Sequence, residues 1–90
     1  VKNADYQQNE LFDEYQRRLI LIWEKILRIS IEDSNKTFFE LGGDSLGMVK
    51  MVNEINEDFQ INITIVDIVE HSSIRELVEF LADNIEEGMI

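Results

Sequence analysis

The chain has 90 residues, with 8 Lys and Arg against 19 Asp and Glu, so its net charge at pH 7 is −11. That length predicts one domain. The charge argues against nucleic acid and anionic membranes as partners, because Lys and Arg supply much of the affinity for phosphate groups. The lack of Cys excludes disulfides and thiolate metal sites, and one His cannot build a multi-His zinc site. We expect no transmembrane helix or signal peptide, since no apolar run is long enough. A small acidic domain of this kind is compatible with the cytoplasm, where we expect it.

Negative charge is concentrated in the later part of the chain. Residues 1–34 have a net charge of −2 and residues 35–90 a net charge of −9. Long-range attraction would favour a basic partner for the more acidic part. An acidic surface can also serve only to keep a domain in solution, and charge alone does not decide between these interpretations.

The first predicted helix runs from about Asn9 to Arg28. The eight residues before it are polar and aperiodic, which predicts a linker end there and a folded core over about residues 10–86. The apolar stripe of this helix recurs at three- and four-residue steps and consists of Phe12, Tyr15, Leu19, Ile22, Trp23 and Ile26.

A long connection separates this helix from the next. It contains turn residues at Asp33-Ser34-Asn35, and we expect Phe38 or Phe39, together with Leu41, to fill the core beneath it. Gly42-Gly43 then allows a positive φ. A connection of roughly fifteen residues is long for a helix–helix link, and such loops are often functional.

The second predicted helix runs from about Asp44 to Phe59, and Asp44 is suited to be its N-cap. Ile61 and Ile63 should reach the core from the connection that follows, and a short helix is predicted within Thr64–Glu70. The core-facing residues of these two helices are predicted to be Met48, Met51, Val52, Ile55 and Phe59, followed by Ile65, Ile68 and Val69.

The last predicted helix opens with a capping box formed by Ser73 and Glu76 and runs to about Glu86, ahead of a frayed end at Gly88. Its apolar face consists of Ile74, Leu77, Val78, Leu81 and Ile85. The predicted fold class is therefore all-α, a four-helix bundle with three main helices, one short helix and a long first loop.

No set of residues points to catalysis or to a metal. Ser45 and His71 make a hydrolytic triad conceivable, but no strand–turn–helix nucleophile elbow surrounds Ser45, and His71 is expected to flank a helix at the surface. The segment Gly42–Ser45 lacks the Lys and the spacing of a P-loop, and no Asp-rich calcium loop is present. We expect no catalytic residue and no metal site.

Ser45 occupies the first position of the predicted second helix, behind two glycines and the cap. Its hydroxyl should project into solvent at the positive end of the helix dipole, where a phosphate is well tolerated. Serine is also common at helix starts, so this position alone is compatible with a residue that has no function.

The segment Phe38–Leu46, with the sequence FFELGGDSL, resembles the attachment motif of carrier domains. These are the acyl and peptidyl carrier proteins of fatty-acid, polyketide and nonribosomal peptide synthesis. The resemblance covers about residues 12–86, and one departure is His71-Ser72-Ser73-Ile74, where the family often has His-Pro-Thr-Ile. Matches outside the motif lie in the first and second predicted helices, at Trp23, Leu27, Ile55 and Phe59.

The resemblance implies a non-catalytic carrier domain of a modular polyketide or nonribosomal peptide synthase. Ser45 would be esterified by 4′-phosphopantetheine from coenzyme A, with Gly43, Asp44 and Leu46 completing the attachment site, and the arm would hold cargo as a thioester. The implied partners are a phosphopantetheinyl transferase and the synthase's condensation or ketosynthase, adenylation or acyltransferase, tailoring and thioesterase domains. We expect a monomer when the domain is isolated.

The expected partner face lies on the second helix, away from its core stripe. Leu46, Val49 and Asn53 follow i, i+3, i+7 spacing there, although Leu46 and Val49 could instead pack partly in the core. Three acidic residues, Glu54, Glu57 and Asp67, could border this face or be simply solvated. The alternative function is a non-covalent, acidic, helical protein-interaction module in which Ser45 is only a helix-start residue.

Overall fold

The computed structural model describes residues 2–86 and 88, with side chains over residues 10–85 and at Gly88. Four helices follow one another: α1 (Lys2–Leu27), α2 (Ser45–Phe59), α3 (Ile65–Glu70) and α4 (Ile74–Glu86). Within these residues the strand-like pairing is limited to an isolated antiparallel bridge between Thr37 and Ser73. The predicted all-α class with a long first loop is confirmed.

Helix α1 begins at Lys2, well before the predicted start near Asn9. The prediction relied on apolar periodicity, which the polar start of the chain lacks, whereas Ala, Gln and Lys in this stretch have good helix propensity. The backbone of residues 2–8 is thus helical, and Val1 lies outside the described residues. The assignment of residues 1–8 as a linker end stays a prediction.

The core lies where α1 packs against both α2 and α4, with α3 packed against α2. The predicted stripes of α1, α2 and α4 supply it, so the helical register read from the sequence is confirmed. The buried members are Tyr15, Leu19, Ile22 and Trp23 on α1, Met48, Met51, Val52 and Ile55 on α2, and Ile74, Leu77, Val78 and Leu81 on α4. Phe12, Ile26, Phe59 and Ile85 are partly buried against this core.

Two polar contacts join the exposed edges of α1 and α2. The Lys25 ammonium lies 2.8 Å from Glu54 Oε2, and this hydrogen-bonded pairing raises the pKa of Lys25 above its ordinary value. Arg18 donates from Nε to Asp58 Oδ2 at 3.0 Å, and its guanidinium carbon lies 4.0 Å from the centre of the Phe59 ring. Glu54 is thus an ion-pair partner rather than a simply solvated carboxylate.

The connection from α2 to α3 is held by the side chain of Asn56, which the sequence analysis did not single out. Its amide nitrogen donates to the carbonyl of Ile63 at 2.9 Å, and its oxygen accepts from the Ile63 amide at 2.7 Å. Ile61 and Ile63 are both buried, as predicted. Asn56 therefore satisfies both backbone groups of a buried residue outside any helix.

Helix α3 corrects part of the predicted core. Ile68 is fully buried, but Ile65 and Val69, which were predicted to face inward, are exposed. A helix of six residues makes fewer than two turns, so it turns little of its surface toward the core. The carboxylate of Asp67 accepts from the Thr64 amide at 2.9 Å in a capping box, so Asp67 is a structural residue rather than a solvated one.

The predicted capping box of α4 is confirmed. The Ser73 hydroxyl accepts from the Glu76 amide at 3.1 Å, and the Glu76 carboxylate accepts from the Ser73 amide at 3.3 Å. Just before it, the Phe38 amide donates to the Ser72 carbonyl at 2.9 Å. The long first loop is therefore tied directly to the start of α4.

None of the helices described could cross a membrane, because none is both long and apolar enough.

Candidate functional site

The loop before α2 is built from consecutive hydrogen-bonded turns. The Leu41 amide donates to the Thr37 carbonyl at 3.1 Å, and the Gly43 amide donates to the Phe38 carbonyl at 2.9 Å. Gly42 has a φ of +98°, in the region that favours glycine, and has open space around it. The loop therefore has a defined shape despite the absence of helix or sheet.

Thr37 and Glu40 close this loop at its start. The Glu40 carboxylate accepts from the Thr37 amide at 2.8 Å, and the Thr37 hydroxyl accepts from the Glu40 amide at 3.1 Å. This is the reciprocal pattern of a capping box. Neither residue was predicted to have a structural role, although the Thr-x-x-Glu spacing is the sequence signal of such a box.

The adjacent aromatic residues of the loop have opposite environments. Phe38 is fully buried, with its ring edge-on to Trp23 at 5.4 Å between ring centres, whereas Phe39 is 50% exposed. The sequence did not determine which of these two residues reaches the core. In the structure it is Phe38. Leu41 is partly buried, as expected.

Asp44 is the N-cap of α2, as predicted. Its backbone is extended, its side-chain Oδ1 accepts from the Gly47 amide at 2.8 Å, and its carbonyl accepts from the Met48 amide at 2.9 Å. This cap makes Ser45 the first residue of the helix.

The Ser45 side chain is exposed at the start of α2. Within the part of the chain that the structure describes, its hydroxyl has no hydrogen-bond partner, and so no base. A group esterified to this oxygen would extend into solvent, and its phosphate would lie at the positive end of the helix dipole. These surroundings are compatible with a phosphate-linked group on Ser45.

Leu46, Val49 and Asn53, the predicted partner face, are all exposed on α2. Leu46 is 64% and Val49 41% exposed, so neither packs in the core as the alternative interpretation allowed. Gly47, which follows Leu46 in the sequence, is buried.

Helix α3 adds exposed apolar residues that the sequence analysis had in part assigned to the core. We call the combined set the α2–α3 apolar surface; it consists of Leu46, Val49, Ile65, Val66 and Val69. Contiguous exposed apolar patches mark sites of protein interaction, whereas single exposed apolar residues are ordinary. Only the three-dimensional structure identifies the α3 contribution.

The contacts of the single histidine, His71, are with α4 and α3. Its ring stacks on Phe80 with 4.4 Å between ring centres, and its backbone amide donates to the Asp67 carbonyl at 3.0 Å as the C-cap of α3. Among the side chains of residues 10–85, no three His, Asp or Glu are grouped so that they could hold a metal ion.

A protein-family model described as "Phosphopantetheine attachment site" matches residues 17–81. Among curated proteins, gramicidin S synthase 2 from Brevibacillus brevis is 35% identical over 69 residues, which cover 77% of this chain and 2% of the synthase. Polyketide synthase PksN from Bacillus subtilis is 30% identical over 70 residues, which cover 78% of this chain and 1% of that protein. The chain thus spans a very small part of the relatives it matches.

Among solved structures, BlmI, a type-II acyl-carrier-protein from Streptomyces verticillus, has a similar fold. The TM-score is 0.77 at 18% sequence identity, over 93% of this chain and 96% of BlmI. At that identity the likeness concerns the fold alone, which is the four-helix carrier-protein fold.

Proposed function

The chain belongs to the phosphopantetheine attachment family, whose members are non-catalytic carriers of 4′-phosphopantetheine, and from this premise we propose that Ser45 is the residue that bears the group. The observation that carries the proposal is the exposed Ser45 hydroxyl at the first position of α2, directly after the Asp44 cap. Gly43, Asp44 and Leu46 complete the attachment site: Gly43 and Asp44 shape the approach and Leu46 lies exposed beside it.

Attachment requires a phosphopantetheinyl transferase, because Ser45 has no base of its own among the described residues. The Ser45 oxygen forms a bond to the phosphorus nearest the pantetheine of coenzyme A, the pyrophosphate bond breaks, and adenosine 3′,5′-bisphosphate leaves. The Ser45 proton passes to a base that the transferase supplies. When bound, the group supplies a terminal thiol that holds cargo as a thioester.

We further propose that the domain delivers acyl, polyketide or peptidyl intermediates to the catalytic domains of a modular synthase. The similarity to both a gramicidin S synthase and a polyketide synthase supports this role and leaves the class of cargo open. Condensation or ketosynthase, adenylation or acyltransferase, tailoring and thioesterase domains are the proposed partners, and the α2–α3 apolar surface is their proposed docking site. A folded unit over residues 10–86, a monomeric state and a cytoplasmic location stay predictions.

The test is the intact mass of the protein after incubation with coenzyme A and a broad-specificity phosphopantetheinyl transferase. The wild type should gain the mass of one phosphopantetheine, and Ser45→Ala should gain nothing. Ser34→Ala is the matched control and should be modified like the wild type. A wild type that stays unmodified would instead favour the non-covalent interaction module, and a modified Ser45→Ala would move the site to another residue.

A further inference from the structure

The buried ring of Phe38 occupies the space in which a side chain at Gly43 would lie. A Cβ on Gly43 would overlap several atoms of that ring, at 2.6 Å from its Cζ, and a Cβ on Gly47 would lie 3.2 Å from the same atom. Gly43 and Gly47 flank the segment Asp44–Leu46 on its two sides. The Phe38 ring therefore lies against the backbone at both ends of the short segment that holds Ser45.

Phe38 is itself held from several directions. Its ring packs edge-on against Trp23 of α1, with an angle of 83° between the ring planes. Its amide donates to the Ser72 carbonyl ahead of α4, and its carbonyl accepts from the Gly43 amide, both at 2.9 Å. The ring is thus a fixed support rather than a mobile one.

The two adjacent glycines serve different purposes. Gly42 has a φ of +98°, in the left-handed region that favours glycine, and a Cβ at this position would have no atom within 4 Å. Its backbone conformation, rather than a lack of space, therefore favours glycine. Gly43 is not in the left-handed region, and it is the Phe38 ring that leaves no room for a side chain. A substitution at Gly43 therefore tests the contact with Phe38 and not the backbone conformation.

We propose that Phe38 is a positioning residue for Ser45: its ring determines how closely the segment Gly43–Gly47 lies to the core, and so where the Ser45 hydroxyl stands. This inference rests on the proposed function of Ser45. A transferase that brings its own base needs the hydroxyl at a defined place, and a displacement of about 1 Å can slow a reaction on the order of a hundredfold. A displaced Ser45 should therefore lower kcat more than it raises KM.

The experiment measures kcat and KM for phosphopantetheine transfer from coenzyme A to purified Gly43→Ala, Phe38→Leu and the double variant. Gly43→Ala should lose on the order of tenfold in kcat. The double variant should be faster than Gly43→Ala, because the smaller leucine leaves room for the added methyl group. Rescue of this kind is the signature of two residues in direct contact.

Val78→Ala is the matched control for lost stability, since Val78 is buried on α4 and belongs to the core rather than to the loop. It should melt at a lower temperature and yet keep the wild-type kcat when assayed well below that temperature. Gly47→Ala, whose Cβ would lie 3.2 Å from both Phe38 Cζ and Asp44 Oδ1, replaces Gly43→Ala if the latter does not fold, and rescue by Phe38→Leu then separates the contact with the ring from the contact with the cap.

A wild-type kcat for folded Gly43→Ala would overturn the inference. It would also be overturned if the fold-loss in kcat of the double variant equalled or exceeded the product of the fold-losses of the two single variants. A wild type that gains no phosphopantetheine would refute the proposed function of Ser45 instead. The two failures are therefore distinguishable in the same set of assays.

Discussion

At the scale of single residues, the Trp23 and Phe59 rings of the predicted core differ in how deeply they are buried. Trp23 is fully buried and packs against Phe38, whereas Phe59 is only partly buried, with the Arg18 guanidinium over its ring and the Tyr15 ring at 5.1 Å between ring centres. Loss of a fully buried ring leaves a cavity that the surroundings fill incompletely.

We therefore expect Trp23→Ala to lower the free energy of unfolding by about 3–5 kcal/mol, and Phe59→Ala to lower it by less. Such a loss is a large share of the stability of a small domain. Urea denaturation followed by circular dichroism measures both variants on the same scale. Equal decreases in the free energy of unfolding for the two variants would show that the destabilisation does not depend on how deeply the ring is buried.

The sequence was most informative at single residues where local chemistry decides. Asp44 as N-cap and Ser45 as the first helical residue follow from the side chains and their neighbours alone. The choice between Phe38 and Phe39 does not, because both are apolar and only their packing against Trp23 distinguishes them. Periodicity is also ambiguous in a helix as short as α3, where Ile65 and Val69 were placed wrongly.

At the scale of elements, the connection between α2 and α3 depends on Asn56. Its side chain makes two hydrogen bonds to the backbone of buried Ile63, at 2.7 and 2.9 Å. No periodic pattern predicts such a role, because the contact joins the end of a helix to an irregular segment.

Asn56→Ala should lower the free energy of unfolding by about 1–3 kcal/mol, because it leaves buried backbone groups of Ile63 without partners. Asn53→Ala is the matched control, since Asn53 lies exposed on the same helix. Thermal unfolding measures the stability of both variants. A control as destabilised as Asn56→Ala would mean that the loss reflects the helix and not the two hydrogen bonds.

The exposed face of α2 has a separate, functional prediction. Leu46→Glu and Val49→Glu, made separately, should slow both modification of Ser45 and loading of cargo, since each puts a charge into the α2–α3 apolar surface. Leu21→Glu is the matched control, because Leu21 is similarly exposed at 61% but lies on α1. The rates are measured on variants whose circular dichroism matches the wild type. Wild-type rates for both α2 variants would place recognition elsewhere, on the Phe38–Gly43 loop or the Thr64–Glu70 segment.

At the scale of the whole molecule, the acidic charge is the dominant electrostatic feature. A net charge of −11 on 90 residues repels itself in the folded state, while the ion pairs among the described residues involve partly exposed side chains. Exposed pairs contribute little to stability, whereas repulsion within a highly charged domain acts over a longer range.

We expect the melting temperature to rise when sodium chloride is increased from low concentration to about 0.15 M, where the screening length is about 8 Å. Choline chloride should act alike, because screening depends on ionic strength rather than on the cation. Scanning calorimetry at neutral pH measures both series. A melting temperature that falls with salt would show that the ion pairs outweigh the repulsion.

The all-α class, the order of the helices and the family could be predicted because helical periodicity and the motif around Ser45 are local in sequence. The start of α1 could not, since a polar helix has no apolar stripe to reveal it. The support beneath Ser45 could not either, because it depends on contacts between distant parts of the chain, such as the Phe38 amide with the Ser72 carbonyl.

The central claim is that Ser45, and no other residue, bears phosphopantetheine. Fragment mass spectrometry of the modified wild-type protein tests it most directly, because the chain has only five serines: Ser30, Ser34, Ser45, Ser72 and Ser73. We predict that the added mass maps to Ser45 in every modified molecule. Added mass on any of the other four serines, or on none of the five, would contradict the account.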